Sequence, residues 1–289
     1  MLIACLESLA QNAGSVPFEV VIVVNGSPEA VRRFVQESVA GATVVESSVN
    51  RGVAGGYNLG RESARGEFIV LLHDDVEVLP GWLDALVQAA DDTPAGGAVG
   101  SRALNPDGTL QSAGAVVRPD GTTELVKVDS QDPRRVDYCG SYSLLVRAST
   151  WDALGGLDER FFPAYHVDVD LGTAIRASGQ FVLYEPRSHV IHHRWGVSAD
   201  PRFRHFAGHR NHRRYVEKWL SGTPGTLSEA HPSSDADYLR LEIELRDAYI
   251  AELGRELAAL KKTRTFRLQQ RLLPLFRLVS RLAGSNRTE

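Results

Sequence analysis

The first group of residues with clear chemical potential is His73-Asp74-Asp75, which directly follows an apolar stretch at residues 68–72. Two adjacent carboxylates repel each other unless a cation lies nearby, and hard oxygen ligands suit Mg²⁺ or Mn²⁺, the ions that accompany diphosphates. Ligands of open α/β sheets bind beyond the carboxyl ends of the strands. The triplet therefore fits a divalent-metal site next to a diphosphate, but by itself it favours a solvated turn or a cap of the following helix, where Asp is common.

A second acidic group lies in residues 165–171, where Asp168 and Asp170 precede a helix-forming stretch. A carboxylate at the start of a helix can cap the free backbone amides of its first turn. It can also serve as a general base at the mouth of a site. The residues by themselves leave both roles open.

Histidines are concentrated in one part of the chain, because six of the nine lie between His189 and His212. His192 and His193 follow a strand-like stretch, where a neutral imidazole can ligate a metal. No cysteine pair accompanies these histidines, and their spacing fits no familiar zinc pattern. The residues by themselves give little support for a zinc centre and leave open whether a histidine here ligates a metal or is structural.

A glycine-rich segment at residues 50–60 reads Asn-Arg-Gly-Val-Ala-Gly-Gly-Tyr-Asn-Leu-Gly. Glycines let the backbone approach a ligand closely, and the N-terminus of a following helix favours phosphate. The spacing differs from the dinucleotide-binding fingerprint, and no Gly-Lys-Ser/Thr of a P-loop is present. The segment predicts a phosphate-side loop of another kind.

The elements that must position these groups alternate between short apolar strands and helices. Strands are predicted at residues 18–24, 42–46, 68–72, 98–103, 113–117, 142–146, 181–185 and 189–192. Helices are predicted at residues 53–64, 80–90, 168–178 and 200–220. This alternation predicts an α/β fold with a mixed, mostly parallel sheet flanked by helices.

Length and composition exclude several classes of protein. The chain has 289 residues with 43% hydrophobic and 24% charged residues, which is typical of a folded globular protein. It contains no apolar run long enough for a membrane-spanning helix and no signal-peptide pattern at its start. The two cysteines form no disulfide framework, and the net charge of −4 argues against nucleic-acid binding. We expect a cytoplasmic protein.

The order of these motifs is more specific than any one of them. An apolar strand ending in Asn25-Gly26-Ser27 is followed by Asn-x-Gly-x-x-x-x-x-Asn-x-Gly, then by the strand with His73-Asp74-Asp75. Later come Gly-Gly-Leu-Asp-Glu-Arg-Phe-Phe at residues 155–162, Asp168-Val-Asp170 and His192. Over residues 2–220 this order closely resembles the family 2 glycosyltransferases, which have the Rossmann-like GT-A fold.

The resemblance implies inverting transfer of a sugar from a nucleotide-diphosphate donor, with Asp168 as the general base and Mg²⁺ or Mn²⁺ as the cofactor. It implies metal ligation by Asp75 and His192, with His73 at the donor or the metal. The donor-binding residues that it implies are Asn25, Asn50, Gly52, Asn58, His73 and Asp74. The acceptor-side residues that it implies are Gly156, Asp158, Phe162, Asp170 and Trp195.

The sequence departs from the family pattern at three places. The usual first strand, which precedes the helix that residues 2–10 resemble, is absent, and we expect it to lie upstream of Met1 because no internal Met offers another start. Val24 stands where many members carry an Asp that reads a pyrimidine base. Val167 stands where many members carry a Glu before the base. The identity of the nucleotide therefore stays open.

Three regions are expected along the chain: a catalytic domain at residues 1–220, a linker at 221–234 and a helical tail at 235–289. The tail carries apolar residues at heptad positions from Leu239 to Leu260, then a basic amphipathic stretch. The basic stretch suits either an anionic membrane surface or a helix paired in a homodimer. Both roles stay open.

Taken together, these features predict a metal-dependent inverting glycosyltransferase acting on a glycan or lipid-linked acceptor in cell-surface polysaccharide synthesis. It would work in the cytoplasm, with a peripheral position at the inner face of the plasma membrane as one option. One alternative is a non-catalytic scaffold of the same fold, which the missing strand and Val24 favour. The other is a nucleotidyltransferase, which would need a basic glycine-rich loop near the first strand.

Overall fold

The computed structural model describes residues 1–193, 200–221 and 223–263. The helices in these residues are α1 Leu2–Asn12, α2 Glu29–Ser38, α3 Gly52–Arg61, α4 Trp82–Asp92, α5 Ala148–Leu154, α6 Val167–Ala177, α7 Pro201–Leu220 and α8 Asp235–Lys262. The strands are β1 Val20–Asn25, β2 Ala42–Ser47, β3 Phe68–Leu72, β4 Val76–Val78, β5 Gly96–Leu104, β6 Leu110–Ser112, β7 Ala115–Val117, β8 Thr123–Leu125, β9 Arg134–Val136, β10 Ser143–Arg147 and β11 Phe181–His192.

A seven-stranded sheet forms the centre of the fold, with the order β3-β10-β5-β11-β4 and with β6 and β9 paired to β5 and β11. Within it β5 and β11 are parallel, and the remaining ladders are antiparallel. β1 and β2 form a separate parallel pair, and β7 and β8 an antiparallel one. The predicted α/β fold with a mixed sheet flanked by helices is confirmed, but the described ladders of the central sheet are mostly antiparallel and not mostly parallel as expected.

Helices cover both faces of the central sheet, as the alternation of side chains along β10 demonstrates. Leu144 and Val146 belong to a cluster that includes residues of α5 and α6, whereas Leu145 belongs to a cluster with residues of α4. Successive side chains of a strand point to opposite faces, so the two clusters lie on opposite sides. The sheet is therefore the middle of three layers.

The strands that carry the candidate metal ligands meet at one end of this sheet. β3 ends at Leu72, and the chain turns through residues 73–75 into β4. β4 runs antiparallel to the end of β11, with His192 opposite Val76. This pairing, which links residues far apart in sequence, brings His192 beside the turn.

The predicted strands at 181–185 and 189–192 are one strand, β11, with a register shift between Glu185 and His189. Pro186 lacks an N–H, so the ladder with β5 is interrupted there. The side chain of Glu185 accepts the amide of Arg187 at 2.8 Å, which closes the bulge. Because of this interruption, the sequence pattern predicted two separate strands.

Residues 1–241 form one compact unit, and a second unit begins at Glu242, inside α8. Within the first unit, residues expected to be a linker contact the domain: Arg160 Nη1 donates to the carbonyls of Leu227 and Glu229 at 3.2 and 3.1 Å. Among the described strands, β1 pairs only with β2. The absence of a first strand stays a prediction.

Two expectations fall outside the described residues. They are the acceptor-side role of Trp195 and the basic amphipathic part of the tail from residue 264 onward. None of the helices in the described part of the chain has the length and apolar character needed to cross a bilayer.

Candidate active site

The candidate metal site consists of His73, Asp75 and His192, whose ligand atoms all lie within 4.8 Å of one another. Asp75 Oδ1 is 3.7 Å from His73 Nδ1 and 3.5 Å from His192 Nε2. These distances exceed a good hydrogen bond, so the three side chains converge without bonding directly to each other. Asp74, next to them in the turn, is exposed to solvent.

Gln111 determines which nitrogen of His192 faces Asp75. Its Nε2 donates to the carbonyl of His192 and to Asn105 Oδ1, both at 3.0 Å, so its Oε1 is the atom 2.8 Å from His192 Nδ1. Because Oε1 can only accept, His192 Nδ1 carries the proton and Nε2 presents a lone pair toward Asp75. Gln111 is 1% exposed. Gln111 was not predicted from the sequence, because no local motif marks it.

Two tyrosines that the sequence analysis also missed enclose the histidines. Tyr142 stacks on His192 with ring centroids 4.3 Å apart, and Tyr57 stacks on His73 at 6.1 Å. Burial, followed by the charges of Asp74 and Asp75, raises the pKa of Tyr57 well above its usual value, so its hydroxyl stays protonated. This hydroxyl donates to the carbonyl of Ser141 at 3.1 Å.

His73 is suited to act as a neutral ligand. Burial lowers the pKa of its imidazole, and the charge of Asp75 only partly opposes this. Its Nε2 is buried and has no hydrogen-bond partner among the described residues. A buried polar atom without a partner costs free energy, which a ligand at this position would recover.

Asp168 lies in the first turn of α6, and it is not the N-cap residue. The N-cap residue is His166, which with Tyr165 adopts positive φ angles of 63° and 72°. Asp168 Oδ1 accepts the amide of the next residue, Val169, at 3.0 Å. Burial raises the pKa of Asp168, while backbone hydrogen bonds, including one from Ser141, oppose the rise.

Ser141 lies beside Tyr57 and acts on Asp168. Its carbonyl accepts the hydroxyl of Tyr57, which stacks on His73, and its backbone amide opposes the rise in the pKa of Asp168. The charges of Asp75 and Asp168 both raise the pKa of Tyr57. Tyr57 is therefore coupled electrostatically to a candidate metal ligand and to the candidate base.

The predicted donor loop folds at the carboxyl end of β1. Asn25 accepts the amide of Arg51 at 2.8 Å and donates to the carbonyl of Gly52 at 2.9 Å, while Asn50 accepts the amide of Gly52 at 2.8 Å. Gly52 has a φ of +68°, and a Cβ on it would lie 2.7 Å from the carbonyl oxygen of Pro163. Only glycine therefore permits this close approach to the segment before α6.

Asn58, predicted on the donor side, instead holds the loop that begins at Gly156. Its amide donates to the carbonyl of Leu157 at 2.8 Å and to Glu159 at 2.7 Å, and its oxygen accepts the amide of Leu157 at 2.9 Å. Gly156 lies against Asn58, and Phe162 is only 2% exposed. This geometry favours structural roles for these three residues.

Two predicted acceptor-side carboxylates belong to a buried ion-pair network. Arg160 makes two hydrogen bonds to Asp158, at 2.8 and 2.7 Å, and Lys218 bridges Asp158 and Asp170, at 2.8 Å each. Trp219 Nε1 donates to Asp170 at 2.7 Å. Burial alone would raise the pKa of Asp158, but Arg160 and Lys218 lower it to about 2. These contacts assign both carboxylates to stabilising the fold.

The sequence profile of the family described as "Glycosyl transferase family 2" matches residues 1–153. Similar curated proteins include the O-antigen biosynthesis protein RfbC of Myxococcus xanthus, 34% identical over 149 residues, which are 47% of this chain and 12% of RfbC. They also include the N-acetylglucosaminyl-diphospho-decaprenol L-rhamnosyltransferase of Mycobacterium tuberculosis. It is 29% identical over 222 residues, which are 67% of this chain and 72% of that enzyme. The match to RfbC thus spans only a small part of that protein.

Two solved structures have a similar fold. GalNAc-T7, crystallised with UDP, GalNAc and Mn²⁺, has a TM-score of 0.60 at 16% identity, over 75% of this chain and 45% of that one. The mannosyltransferase PcManGT from Pyrobaculum calidifontis, in complex with GDP-Man and Mn²⁺, has a TM-score of 0.50 at 18% identity, over 92% of this chain and 78% of that one. Because the family profile covers more than half of the chain, this protein belongs to glycosyl transferase family 2 and has the fold of the GT-A glycosyltransferases.

Proposed function

We propose that this protein transfers a sugar, with inversion, from a nucleotide-diphosphate donor to a hydroxyl of a glycan or lipid-linked acceptor, in a metal-dependent reaction. The observation that carries the proposal is the His73/Asp75/His192 cluster, whose neighbour Tyr57 also has its pKa raised by the charge of Asp168. The cluster suits a diphosphate with its cation, and Asp168 suits proton removal from an acceptor hydroxyl.

The donor set favours a transition-metal ion. Two imidazoles and one carboxylate converge within 4.8 Å, and Mg²⁺ prefers oxygen ligands, whereas imidazole suits transition metals. Of the two ions expected from the sequence, we therefore propose Mn²⁺, held by His73, Asp75 and His192. When bound, the ion neutralises the charge that develops on the departing diphosphate.

Asp168 would act as the general base. Its raised pKa makes its carboxylate a better proton acceptor than an ordinary aspartate. Direct attack of the deprotonated acceptor oxygen on the anomeric carbon, with no covalent enzyme intermediate, inverts the configuration. Asn25, Asn50 and Gly52 would position the donor at the end of β1, and the exposed Asp74 would contact the donor beside the metal.

The acceptor class is suggested by the relatives. The mycobacterial relative is named for adding L-rhamnose to a lipid diphosphate that carries N-acetylglucosamine, and RfbC is named for O-antigen biosynthesis. We propose an acceptor of this class, reached at the cytoplasmic face of the membrane. Membrane association and a homodimer remain part of the proposal, and rhamnose is the first sugar to test.

A thermal-unfolding panel of nucleotide-diphosphate sugars with Mn²⁺ tests the donor site. A donor that binds the folded state raises the unfolding temperature by mass action, and we expect one nucleotide sugar to do so only with the metal. Asp75→Ala should abolish the metal-dependent shift. Asp91→Ala, which removes an exposed carboxylate on α4, serves as the matched control and should keep it.

A transfer assay with the donor so identified separates the alternatives. Release of a nucleoside diphosphate, together with a product whose new glycosidic bond has the inverted anomeric configuration by NMR, supports the proposal. Release of pyrophosphate would indicate a nucleotidyltransferase instead. Donor binding without turnover of any glycan or lipid-linked acceptor would favour the non-catalytic scaffold.

A further inference from the structure

Helix α8 carries a row of large apolar side chains that continue along one face. The positions alternate by four and three residues, and only Arg246 interrupts the apolar character. This is the heptad spacing of a coiled-coil seam. The residues of the row are Leu239, Ile243, Arg246, Ile250, Leu253, Leu257 and Leu260.

Most of this row is exposed in the single chain. Leu239, Ile243, Ile250, Leu257 and Leu260 have exposed fractions between 48% and 64%. Scattered exposed apolar residues are normal, but a continuous row along a 28-residue helix marks an interaction surface. Isolated helices are marginal in water, so a partner along this row would also stabilise α8 itself.

We propose that this row pairs with the same row of a second copy of the chain, forming a parallel two-stranded coiled coil. In the heptad frame Ile243, Ile250 and Leu257 occupy the a positions, and Leu239, Leu253 and Leu260 the d positions. β-Branched residues at a with Leu at d favour two parallel strands. The row is therefore complementary to itself, and no other partner needs to be invoked.

Charges beside the row oppose the parallel arrangement less than an antiparallel one. A parallel dimer places Glu256, at a g position, beside Lys261 at the e position of the second copy, which is an attractive pair. It also places Glu242 beside Asp247 of the second copy, which is a repulsive pair. An antiparallel dimer centred near residue 249 places Glu242 beside Glu256 of the second copy. Shifting that centre by about half a heptad brings Arg240 beside Lys261, so both antiparallel alignments pair like charges.

Arg246 occupies the remaining d position, between Leu239 and Leu253, and limits the strength of the pairing. Its guanidinium bonds to Glu242 one turn earlier, at 2.6 Å, so the charge leans out of the seam. A polar residue in the seam fixes register at a cost in stability. Two Arg246 side chains meeting in the dimer would make it reversible rather than permanent.

Sedimentation velocity on the full chain from about 1 to 100 µM, the range of moderate protein–protein affinities, tests the pairing. We expect a monomer–dimer equilibrium that Ile250→Lys weakens by at least about tenfold, which is 1.4 kcal/mol. Ala251→Lys adds the same charge to the neighbouring exposed residue outside the seam and should leave the equilibrium unchanged. Arg246→Leu should tighten it, which no folding defect could imitate.

The orientation is tested by oxidising a Leu260→Cys variant. In a parallel dimer the two new thiols face each other and form a disulfide-linked dimer, whereas an antiparallel dimer holds them apart. The native Cys5 and Cys139 are buried. A wild-type chain that stays monomeric at 100 µM, about the upper end of that range, overturns the proposal, as does an Arg246→Leu variant that remains monomeric. Equal weakening by the two lysine variants, or vesicle binding that requires the row instead of self-association, also overturns it.

Discussion

Asp168 and Asp170 stand two residues apart in the first turn of α6, yet their surroundings differ in kind. Asp170 is bonded to Lys218 and Trp219 and shares Lys218 with Asp158. Asp168 Oδ1 accepts the backbone amide of Val169, and no ion pair reaches it from the described residues. One helix turn therefore carries a carboxylate paired with a cation and one without an ion pair among the described residues, although burial raises the pKa of both.

This contrast separates structural from chemical roles. A buried carboxylate that is paired with cations is tied to the fold, because removing its partner leaves an uncompensated charge. A carboxylate stabilised only by neutral donors keeps a raised pKa, which is what a general base requires. Burial raises the pKa of Asp170 as well, so the test by pH compares Asp168 with Asp158, whose pKa is lowered by Arg160 and Lys218.

Asp168→Asn should have the largest effect. Losing the base should reduce transfer by roughly a thousandfold, within the 10²–10⁴ range typical of general bases. Donor binding should stay nearly intact, because the donor-side residues are untouched. Turnover measured with saturating donor and acceptor, alongside donor titration by calorimetry, checks both statements.

Asp152→Asn is the matched control for that prediction. It removes a carboxylate that is largely exposed and bonds to Arg61 at 2.8 Å, so turnover should be unaffected. Full turnover in Asp168→Asn would remove Asp168 from the role of base. Loss of donor binding in that variant would assign the residue to the donor site instead.

Lys218→Met should have the largest effect on stability. It leaves Asp158 and Asp170 without their shared cation in a buried position, and we expect a loss of about 3 kcal/mol in the free energy of unfolding. Urea unfolding measures this loss. Arg213→Met, an exposed cation on the same helix, should cost less than about 0.5 kcal/mol. Similar values for the two variants would contradict the structural assignment of the network.

The dependence of stability on pH should differ between Asp158→Asn and Asp168→Asn. Asp158 has a lowered pKa of about 2, so it stabilises the fold above its ordinary pKa by about 2 kcal/mol and loses this as the pH falls toward 2. Asp168 has a raised pKa, so its ionised form destabilises the fold, and Asp168→Asn should gain stability at pH 7.

Unfolding curves at pH 7 and at about pH 3, below the ordinary pKa of aspartate, test this. Asp158→Asn should be destabilised at pH 7 and approach the wild type at low pH. The gain in Asp168→Asn should shrink over the same range. Parallel behaviour of the two variants would show that the paired and unpaired carboxylates do not differ as described.

Local patterns in the sequence were sufficient to predict helices and strands and to identify the family. Strand Phe68–Leu72 was predicted with its observed bounds because its apolar run ends in a polar turn. His73, Asp75 and His192 were named because each follows a strand. Their convergence depends on the β4–β11 pairing, which joins residues more than a hundred positions apart and leaves no local signal.

The residues that complete the site could not be predicted for the same reason. Gln111 sits on β6, and nothing in its neighbourhood indicates that its amide meets His192. Conversely, Asp158 and Asp170 were predicted to lie on the acceptor side because their positions match acceptor-side motifs. Lys218 lies 60 and 48 residues from them, so the sequence could not reveal that their charges are already neutralised.

Gln111→Leu should have the smallest of these effects and the most specific one. Removing the acceptor for His192 Nδ1–H frees the imidazole to carry its proton on Nε2, the nitrogen that faces Asp75. Residues that orient metal-bound histidines typically change metal affinity by 10–100-fold, so we expect roughly a tenfold loss in Mn²⁺ affinity, measured by electron paramagnetic resonance.

Nitrogen NMR of the imidazole rings without metal separates this role from general damage to the fold. The wild type should hold His192 with the proton on Nδ1, and Gln111→Leu should move it largely to Nε2. Gln180→Leu removes an amide that bonds to Thr150 far from the site along the chain, so both readouts should be unchanged. If the tautomer shifts while Mn²⁺ affinity does not, His192 lies outside the metal shell. If neither the tautomer nor the Mn²⁺ affinity changes, Gln111 has no positioning role.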